Sequence, residues 1–309
     1  MKHVLQRYYA IHPGYAGLQR SLEEAKVLAA RVLTKQMIQQ GVVSDLSAAE
    51  FRVFSQFGED GIIQYLIQQV PIARKTFVEF GVGKYSEANT KYLLVNDNWR
   101  GLVMDGDPYY VNYIQKDPFF WRTDLKAVSA FVNRDNINQL LEENGFSGDL
   151  GILSIDIDGN DYWIWESIQV VNPAIVVVEY NSVFGRKRAI TIPYDPAFDR
   201  YAAHFSGLYW GASIKALCVV AERKGYQFVG SNSAGNNAFF VRSDLVGDLK
   251  VHTADSGYVE SKFRDSRDVR GRLNFLAGKD RLREIRGLEV FDVERNETIQ
   301  LAEVQAEET

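Results

Sequence analysis

The sequence predicts an α/β protein whose core is a mostly parallel sheet that ends in an antiparallel hairpin. Between residues 50 and 245, short apolar stretches alternate with segments of helical periodicity, which is typical of a parallel sheet covered by helices. The stretches at 151–157 (GILSIDI) and 174–180 (AIVVVEY) are almost continuously apolar and therefore indicate strands buried on both faces. Segments 227–230 and 238–242 flank a short loop rich in Ser, Gly and Asn. They must pair antiparallel, because a parallel return needs a crossover of about a dozen residues.

Composition narrows the class of protein. The chain has 309 residues, one cysteine and a formal net charge of -5, which fits one large domain with extensions. Cys218 can form neither an intrachain disulfide nor a cysteine-rich zinc site, so we expect a cytoplasmic location. No apolar stretch approaches the roughly 20 residues of a membrane span, and the first residues lack the apolar segment of a secretory signal. The mild acidity argues against a nucleic-acid partner.

The chain divides into three predicted zones. These are an N-terminal helical extension (1–50), the core (51–245) and a C-terminal extension (246–309). Residues 18–40 carry an apolar stripe at helical spacing that ends at Gly41, and such a stripe either covers the core or forms a contact in a homo-oligomer. The C-terminal extension contains an Arg-rich segment, suited either to an anionic substrate or to an ordinary charged surface, and two apolar segments that predict a final hairpin.

Two features at strand ends predict a nucleoside ligand. Glu79 is followed by Gly81 and Gly83 at the end of the first core strand, where glycines let the backbone approach a ligand. A serine stands where the full dinucleotide pattern has its third glycine, and the pair alone also suits a tight turn. Asp105 ends the next strand, about 20 residues after the glycines, where an acid holds ribose hydroxyls. Asp107 competes for this role, and either acid also suits a solvated turn.

Acids also collect at the ends of the two most apolar strands. Asp156 and Asp158 share one face at a strand end, because side chains alternate along a strand, and Glu179 and Asn181 end the next strand. Their oxygens suit Mg²⁺ or another divalent cation, so Asp158, Glu179 and Asn181 are predicted metal ligands. Alternatively, some of these acids cap helices or bind backbone amides. His204 is a candidate general base, although a lone histidine is more often a surface or packing residue.

Four segments together resemble the FkbM-type methyltransferases, which depend on S-adenosylmethionine. They are 55–61 (SQFGEDG), 78–83 (VEFGVG), 153–161 (LSIDIDGND) and 236–241 (NNAFFV). The resemblance covers about residues 51–245. It implies a Rossmann-like sheet of seven strands whose last strand is antiparallel, with S-adenosylmethionine as the cofactor.

The resemblance also implies which residues bind the cofactor. They are Gln56, Glu59, Glu79, Gly81, Gly83, Asp105, Ala130, Phe131 and Asp156. The glycine segment would hold the amino-acid part, Asp105 the ribose and residues 130–131 the adenine, while Asp156 would lie below the sulfonium. Gln56 and Glu59 would close over the methionine end. The family commonly has a glutamate after the second strand and at the place of Asp158, so the side chains in this sequence are shorter.

These observations predict transfer of a methyl group to a hydroxyl of a sugar or glycan-related acceptor. The sulfonium is already an activated donor, so the protein has to align the acceptor oxygen and exclude water. A bound divalent cation would lower the pKa of the hydroxyl, and Asp158 or His204 would take its proton. The alternatives are methyl transfer to nitrogen, carboxyl or phosphoryl oxygen, and a non-catalytic module that binds a nucleoside. A nicotinamide oxidoreductase is disfavoured by the missing third glycine and by the terminal hairpin.

Overall fold

The computed structural model describes residues 13–302. The helices are α1 (Pro13–Gln40), α2 (Glu59–Gln69), α3 (Lys91–Asp97), α4 (Pro108–Gln115), α5 (Ile137–Glu143), α6 (Asp161–Ser167), α7 (Arg200–Ala203), α8 (Ile214–Arg223), α9 (Ala254–Gly257) and α10 (Lys279–Ile285). The strands are β1 (Thr76–Phe80), β2 (Arg100–Asp105), β3 (Leu125–Ser129), β4 (Gly148–Ile155), β5 (Val171–Glu179), β6 (Ile190–Thr191), β7 (Tyr226–Ser231), β8 (Asn237–Arg242), β9 (Glu289–Asp292) and β10 (Glu297–Gln300). Short 3₁₀ helices cover Leu46–Ala49, Phe120–Arg122 and Ser182–Phe184.

Seven strands form the central sheet, in the order β3-β2-β1-β4-β5-β8-β7. Strands β1 to β5 pair in parallel, whereas β8 runs antiparallel to both β5 and β7. The predicted α/β fold, with seven strands and an antiparallel last strand, is therefore confirmed. The hairpin predicted from 227–230 and 238–242 is the β7–β8 pair.

Helices cover both faces of this sheet and explain why its central strands are so apolar. Val176 and Val178 of β5 face one core, which includes side chains of α6 and α8. Val177, between them, faces a second core built from α2, α3 and α4. All three valines are 0% exposed, and each contributes about 2 kcal/mol through burial. The parallel arrangement puts the carboxyl ends of β1, β2, β4 and β5 along one edge, where the predicted site residues follow.

The N-terminal extension is a long helix, as predicted, and its side chains face in two directions. Ala30 and Met37 pack against the body of the protein. The large apolar side chains of the predicted stripe are 44–67% exposed, and these are Leu18, Leu22, Leu28, Val32, Leu33 and Ile38. The stripe therefore does not cover the core, and its role in a homo-oligomer stays a prediction. Among residues 13–302, no helix is both long enough and apolar enough to cross a membrane.

The C-terminal extension folds back over the loops that follow β5. Its predicted hairpin is confirmed as β9 and β10, and β9 also pairs antiparallel with β6. Arg188 forms a largely buried ion pair of 2.7 Å with Asp292, which ties the loop before β6 to β9. Residues of this extension can therefore reach the edge of the central sheet. The zone boundaries at 50 and 245 stay predictions.

Gly81, directly after β1, makes the tightest backbone contact near that edge. It has a φ of +73°, and a Cβ there would lie 1.6 Å from the main-chain oxygen of Asp156. Gly83 also has a positive φ, of +51°, but a Cβ there would meet no atom within 4 Å. The two glycines share a conformational requirement and differ in the space around them.

This difference predicts unequal effects of alanine at the two glycines. We expect Gly81→Ala to lower the free energy of unfolding by about 3 kcal/mol or more, because strain at positive φ adds to a backbone clash. Gly83→Ala, with the strain alone, should cost about 1 kcal/mol. Urea denaturation of the two variants measures both values. Equal losses would contradict the close contact between the ends of β1 and β4.

Candidate active site

Two cavities meet at the carboxyl edge of the sheet. The β2-side cavity has a volume of about 350 Å³ and lies beside the ends of β1 and β2. The β5-side cavity has a volume of about 660 Å³ and lies over the end of β5 and part of the C-terminal extension. Gly81, Asp156 and Asp158 line both. A molecule in one cavity can therefore reach a molecule in the other at this junction.

The β2-side cavity brings together six of the predicted cofactor residues. They are Gly81, Gly83, Asp105, Ala130, Phe131 and Asp156. One carboxylate oxygen of Asp105 accepts a hydrogen bond of 2.8 Å from the Gly83 amide, which ties the glycine turn to the end of β2. The ring of Phe131 is 58% exposed, although it stands beside the cavity. An acid next to an exposed aromatic face suits a nucleoside, since the acid binds ribose hydroxyls and the ring stacks on a base.

The competition between Asp105 and Asp107 is decided by their hydrogen bonds. Asp107 is the N-cap of α4, and its carboxylate accepts from the Tyr109 amide at 2.8 Å. Asp105 lines the cavity, whereas Asp107 does not. Asp105 is thus the acid placed to meet a ligand, and Asp107 starts a helix.

Glu79 and Glu59 hold backbone turns in place. Glu79 is buried and accepts hydrogen bonds from the amides of Asn89 and Thr90 and from the Thr90 hydroxyl. Glu59 is also buried, and it accepts from the amides of residues 57 and 58 and from the side chains of Asn232 and Asn237. Their oxygens are therefore occupied by the protein itself, which indicates that both glutamates position the site through the backbone.

Gln56 lies closer to the junction. It lines the β5-side cavity and also a small cavity of about 40 Å³ beneath it, which Glu79, Gly81 and Asp156 share. This is the end of the site where the methionine part of the predicted cofactor would lie. Gln56 therefore lines the β5-side cavity and the small cavity, and its role in cofactor binding stays a prediction.

Asp156, which is half-buried, and Glu179, which is buried, form an acidic pair at the junction. Asp156 lines both cavities, and Glu179 lines the β5-side cavity. Burial, with added repulsion from Asp158 and Asp161, raises the pKa of both carboxyls well above the ordinary range. Oε2 of Glu179 has no hydrogen-bond partner among residues 13–302. A cation bound at the junction would favour the ionised carboxyls, and a proton-donating ligand would satisfy the free acceptor.

Asp161 belongs to the local structure instead. Its carboxylate accepts from the amides of Ile157 and Gly159, at 2.9 and 3.0 Å, in the turn that begins α6. Burial raises its pKa to about 7. Asp161 is therefore one of the carboxylates that bind backbone amides, which was the alternative to metal binding in the sequence analysis.

The predicted metal ligands do not fit a divalent cation. Asn181 uses its side-chain oxygen to accept from the Val183 amide, and its nitrogen donates to the carbonyls of Leu208 and Trp210. Asp158 is engaged by Arg200, at 3.1 Å. Within the described part of the chain, no group of three or more His, Cys, Asp and Glu is placed to hold a metal ion. The three side chains line the same cavity, but the amide of Asn181 and one oxygen of Asp158 are already used within the protein.

His204 is not brought to the site. Its Nδ1 lies 2.7 Å from the Ser206 hydroxyl, and its ring stacks on Phe205 at 4.2 Å. It lines neither cavity, and burial lowers its pKa. His204 therefore packs at the end of α7, as a lone histidine most often does.

Several residues of the β5-side cavity were missed by the sequence analysis. Arg200 joins Asp158 to Asp265, at 3.1 and 3.3 Å, and its guanidinium lies 4.8 Å from the centre of the Trp210 ring. Phe57 and Phe263 pair across the cavity at 5.0 Å. Arg200 begins the short helix α7, Phe57 and Trp210 lie in loops, and Asp265 and Phe263 belong to the C-terminal extension. The interleaved charges of that extension were the one sequence signal for them, and that signal did not distinguish a site from a surface.

Comparisons with known proteins give structural similarities alone. No protein-family model matches the chain, and no curated protein matches it in sequence. The N-terminal domain of EvdMO1 with SAH bound is 10% identical, over 68% of this chain and 94% of that one, with a TM-score of 0.39. An S-adenosylmethionine-dependent methyltransferase from Clostridium acetobutylicum ATCC 824 is 9% identical, over 60% and 90%, with a TM-score of 0.38. The DszA carbon methyltransferase is 11% identical over 60% of this chain, with a TM-score of 0.38. The match spans 53% of the DszA chain, which is about half of its length.

The buried acids of the site predict that stability falls as the pH rises. Burial raises the pKa of Glu79 to about 7, so the folded protein keeps a proton that the unfolded chain has already released. The stabilisation is complete at low pH and is lost as the pH rises through the folded-state pKa. We expect the free energy of unfolding to fall between about pH 4.5 and pH 7, with roughly 3 kcal/mol from Glu79.

Denaturation of Glu79→Gln across this pH range measures that contribution. The variant should show a shallower pH dependence than the native protein. Glu222→Gln, on the exposed surface of α8, is the matched control and should keep the native slope. An unchanged slope in Glu79→Gln would mean that this carboxyl is ionised throughout.

Proposed function

We propose that the chain is an S-adenosylmethionine-dependent methyltransferase of the FkbM type, which methylates a hydroxyl of a sugar or glycan-related acceptor. The observation that carries this proposal is the junction at Asp156. There, a cavity suited to a nucleoside opens into a larger polar cavity that can hold a second molecule. Methyl transfer requires such an arrangement, because the donor and acceptor atoms must meet in line with water excluded.

The residues of the β2-side cavity fit this cofactor. Asp105 would accept hydrogen bonds from the ribose hydroxyls, and the exposed ring of Phe131 would stack on the adenine. The turn at Gly81 and Gly83 leaves the backbone open to the methionine part, with Gln56 at its far end. When bound, the cofactor supplies an electrophilic methyl group on a cationic sulfur. That cation would lower the raised pKa of Asp156 and Glu179, and the ionised carboxyls would in turn stabilise it.

The β5-side cavity suits a carbohydrate. A sugar presents hydroxyls that both donate and accept hydrogen bonds, together with apolar C–H faces. Arg200, Asp158 and Asp265 supply charged donors and acceptors side by side, and Trp210 and Phe57 supply aromatic surface. Charges of both signs match a hydroxyl-rich acceptor better than a strongly anionic or an apolar one.

Glu179 is the group best placed to take the acceptor proton once the cationic cofactor favours its ionised form. A hydroxyl is a weak nucleophile until it loses its proton, and Oε2 of Glu179 is an unpaired acceptor in the wall of the cavity. Asp158, held by Arg200, would orient the acceptor. The proposal includes no step through a metal, because Asn181 and Asp158 already use their oxygens in hydrogen bonds within the protein.

Cofactor binding can be tested by removing the aromatic ring from the β2-side cavity. We expect Phe131→Ala to weaken the binding of S-adenosylmethionine by about tenfold or more, since loss of a stacked ring costs roughly 1–3 kcal/mol per base. Trp121→Ala is the control, because Trp121 is another exposed aromatic side chain but lies outside the cavity. Titration calorimetry measures both. If neither the native protein nor the control binds the cofactor, the proposed function fails.

The role of Glu179 predicts a loss of rate with binding retained. Glu179→Gln should lower methyl transfer about 100-fold or more, the usual contribution of a general base, and leave affinity for S-adenosylhomocysteine, whose sulfur is neutral, unchanged. Labelled S-adenosylmethionine with a panel of sugars and nucleotide sugars measures the rate. Glu142→Gln, on the exposed face of α5, should behave as the native protein. Native activity in Glu179→Gln would mean that another group removes the acceptor proton. If only amines were labelled, the proposal of a hydroxyl acceptor would be wrong.

A further inference from the structure

A third cavity lies apart from the site. Its volume is about 710 Å³, and it is enclosed by α1, α3 and the segment from Tyr113 to Arg122. It has no lining residue in common with the β2-side or the β5-side cavity. Nothing in the proposed methyl transfer uses it, although it is about as large as the cavity proposed for the acceptor.

Lys91, the first residue of α3, is the most unusual side chain in this third cavity. It is only 8% exposed, and its ammonium lies 4.9 Å from the ring centres of both Phe54 and Phe119. It makes no hydrogen bond or ion pair with any of residues 13–302. Glu23 and Asp117 also line the cavity and favour the charged form of Lys91, but they act from beyond contact distance. The ammonium is therefore largely removed from water with aromatic rings as its near neighbours.

This arrangement leaves a need for an anion. Aromatic faces offset the lost hydration of an ammonium in part, by about 0.5–2 kcal/mol. A buried charge is ordinarily paired, because desolvation costs several kcal/mol that hydrogen bonds to an opposite charge recover. A carboxylate carries the opposite charge and has acceptor oxygens, so it would supply the partner that the Lys91 ammonium lacks. Besides Lys91, three arginines and three acids line the cavity, so its charged side chains have a small positive excess; they are Arg20, Arg31, Arg122, Glu23, Glu24 and Asp117.

The remaining walls define the body of the ligand. Val27, Leu28 and Val95 provide aliphatic surface, and Phe54, Phe119 and Tyr113 provide aromatic surface. Apolar and aromatic surface beside a few polar groups is the usual composition of a small-molecule site, and Lys91 is the charged side chain packed against the aromatic part of this one. We propose that this cavity binds a free small-molecule carboxylate with an apolar or aromatic body, and that the carboxylate pairs with Lys91.

Two probes with the same body and different charge test this proposal. The full chain is titrated by calorimetry with 4-phenylbutyrate and with 4-phenylbutan-1-ol. We expect the acid to bind at least about tenfold more tightly than the alcohol, because only the acid can pair with the ammonium. Lys91→Met keeps the aliphatic stem and should remove this preference, whereas Lys91→Arg should retain it. Lys116→Met, at the exposed end of α4, is the matched control and should bind both probes as the native protein does.

A measurement on the native protein covers the case in which Lys91→Met does not fold. Acetylation with acetic anhydride, followed by mass spectrometry, reports the reactivity of each lysine. The acid should protect Lys91 and leave Lys116 unprotected, and the alcohol should protect neither. Equal affinity for the two probes, no binding of the acid, or no protection of Lys91 would overturn the proposal. None of these results depends on methyl transfer, so they leave the proposed function to its own tests.

Discussion

The contact between Gly81 and the main-chain oxygen of Asp156 is the constraint on which the site depends. It brings the end of β1 against the end of β4, so closely that no side chain fits between them. The glycine turn then faces the β2-side cavity, and the Asp156 side chain stands between that cavity and the β5-side one. A wider separation of these strand ends would break the common wall, and donor and acceptor would no longer meet.

The charges at this edge oppose the stability of the fold. Glu179 and Asp161 are buried and Asp156 is half-buried, and loss of water raises the pKa of each carboxyl. Asp161 is compensated locally by two backbone amides, whereas Glu179 keeps an oxygen without a partner. Such a group is unfavourable in a folded protein unless a ligand completes it. A cationic donor and a hydroxyl acceptor would supply what the protein lacks at this point.

The sequence predicted the position of a residue well where that residue ends or directly follows a strand. The apolar runs of β4 and β5 predicted the sheet, and Asp105 and Asp156 lie at its carboxyl edge because strand direction places them there. Prediction was poorer where side-chain hydrogen bonds decide the role. Asn181 was taken for a metal ligand, but it caps a short 3₁₀ helix and binds two distant carbonyls. Arg200 and Trp210 could not be predicted, since loop conformations bring them to the cavity.

A crystal structure with S-adenosylhomocysteine tests the central claim most directly. The account predicts that the adenine lies against Phe131, that Asp105 binds the ribose hydroxyls, and that the sulfur lies beside Asp156 and faces the β5-side cavity. It would be contradicted by a ligand whose sulfur faces away from that cavity, or by a nucleoside bound elsewhere on the protein.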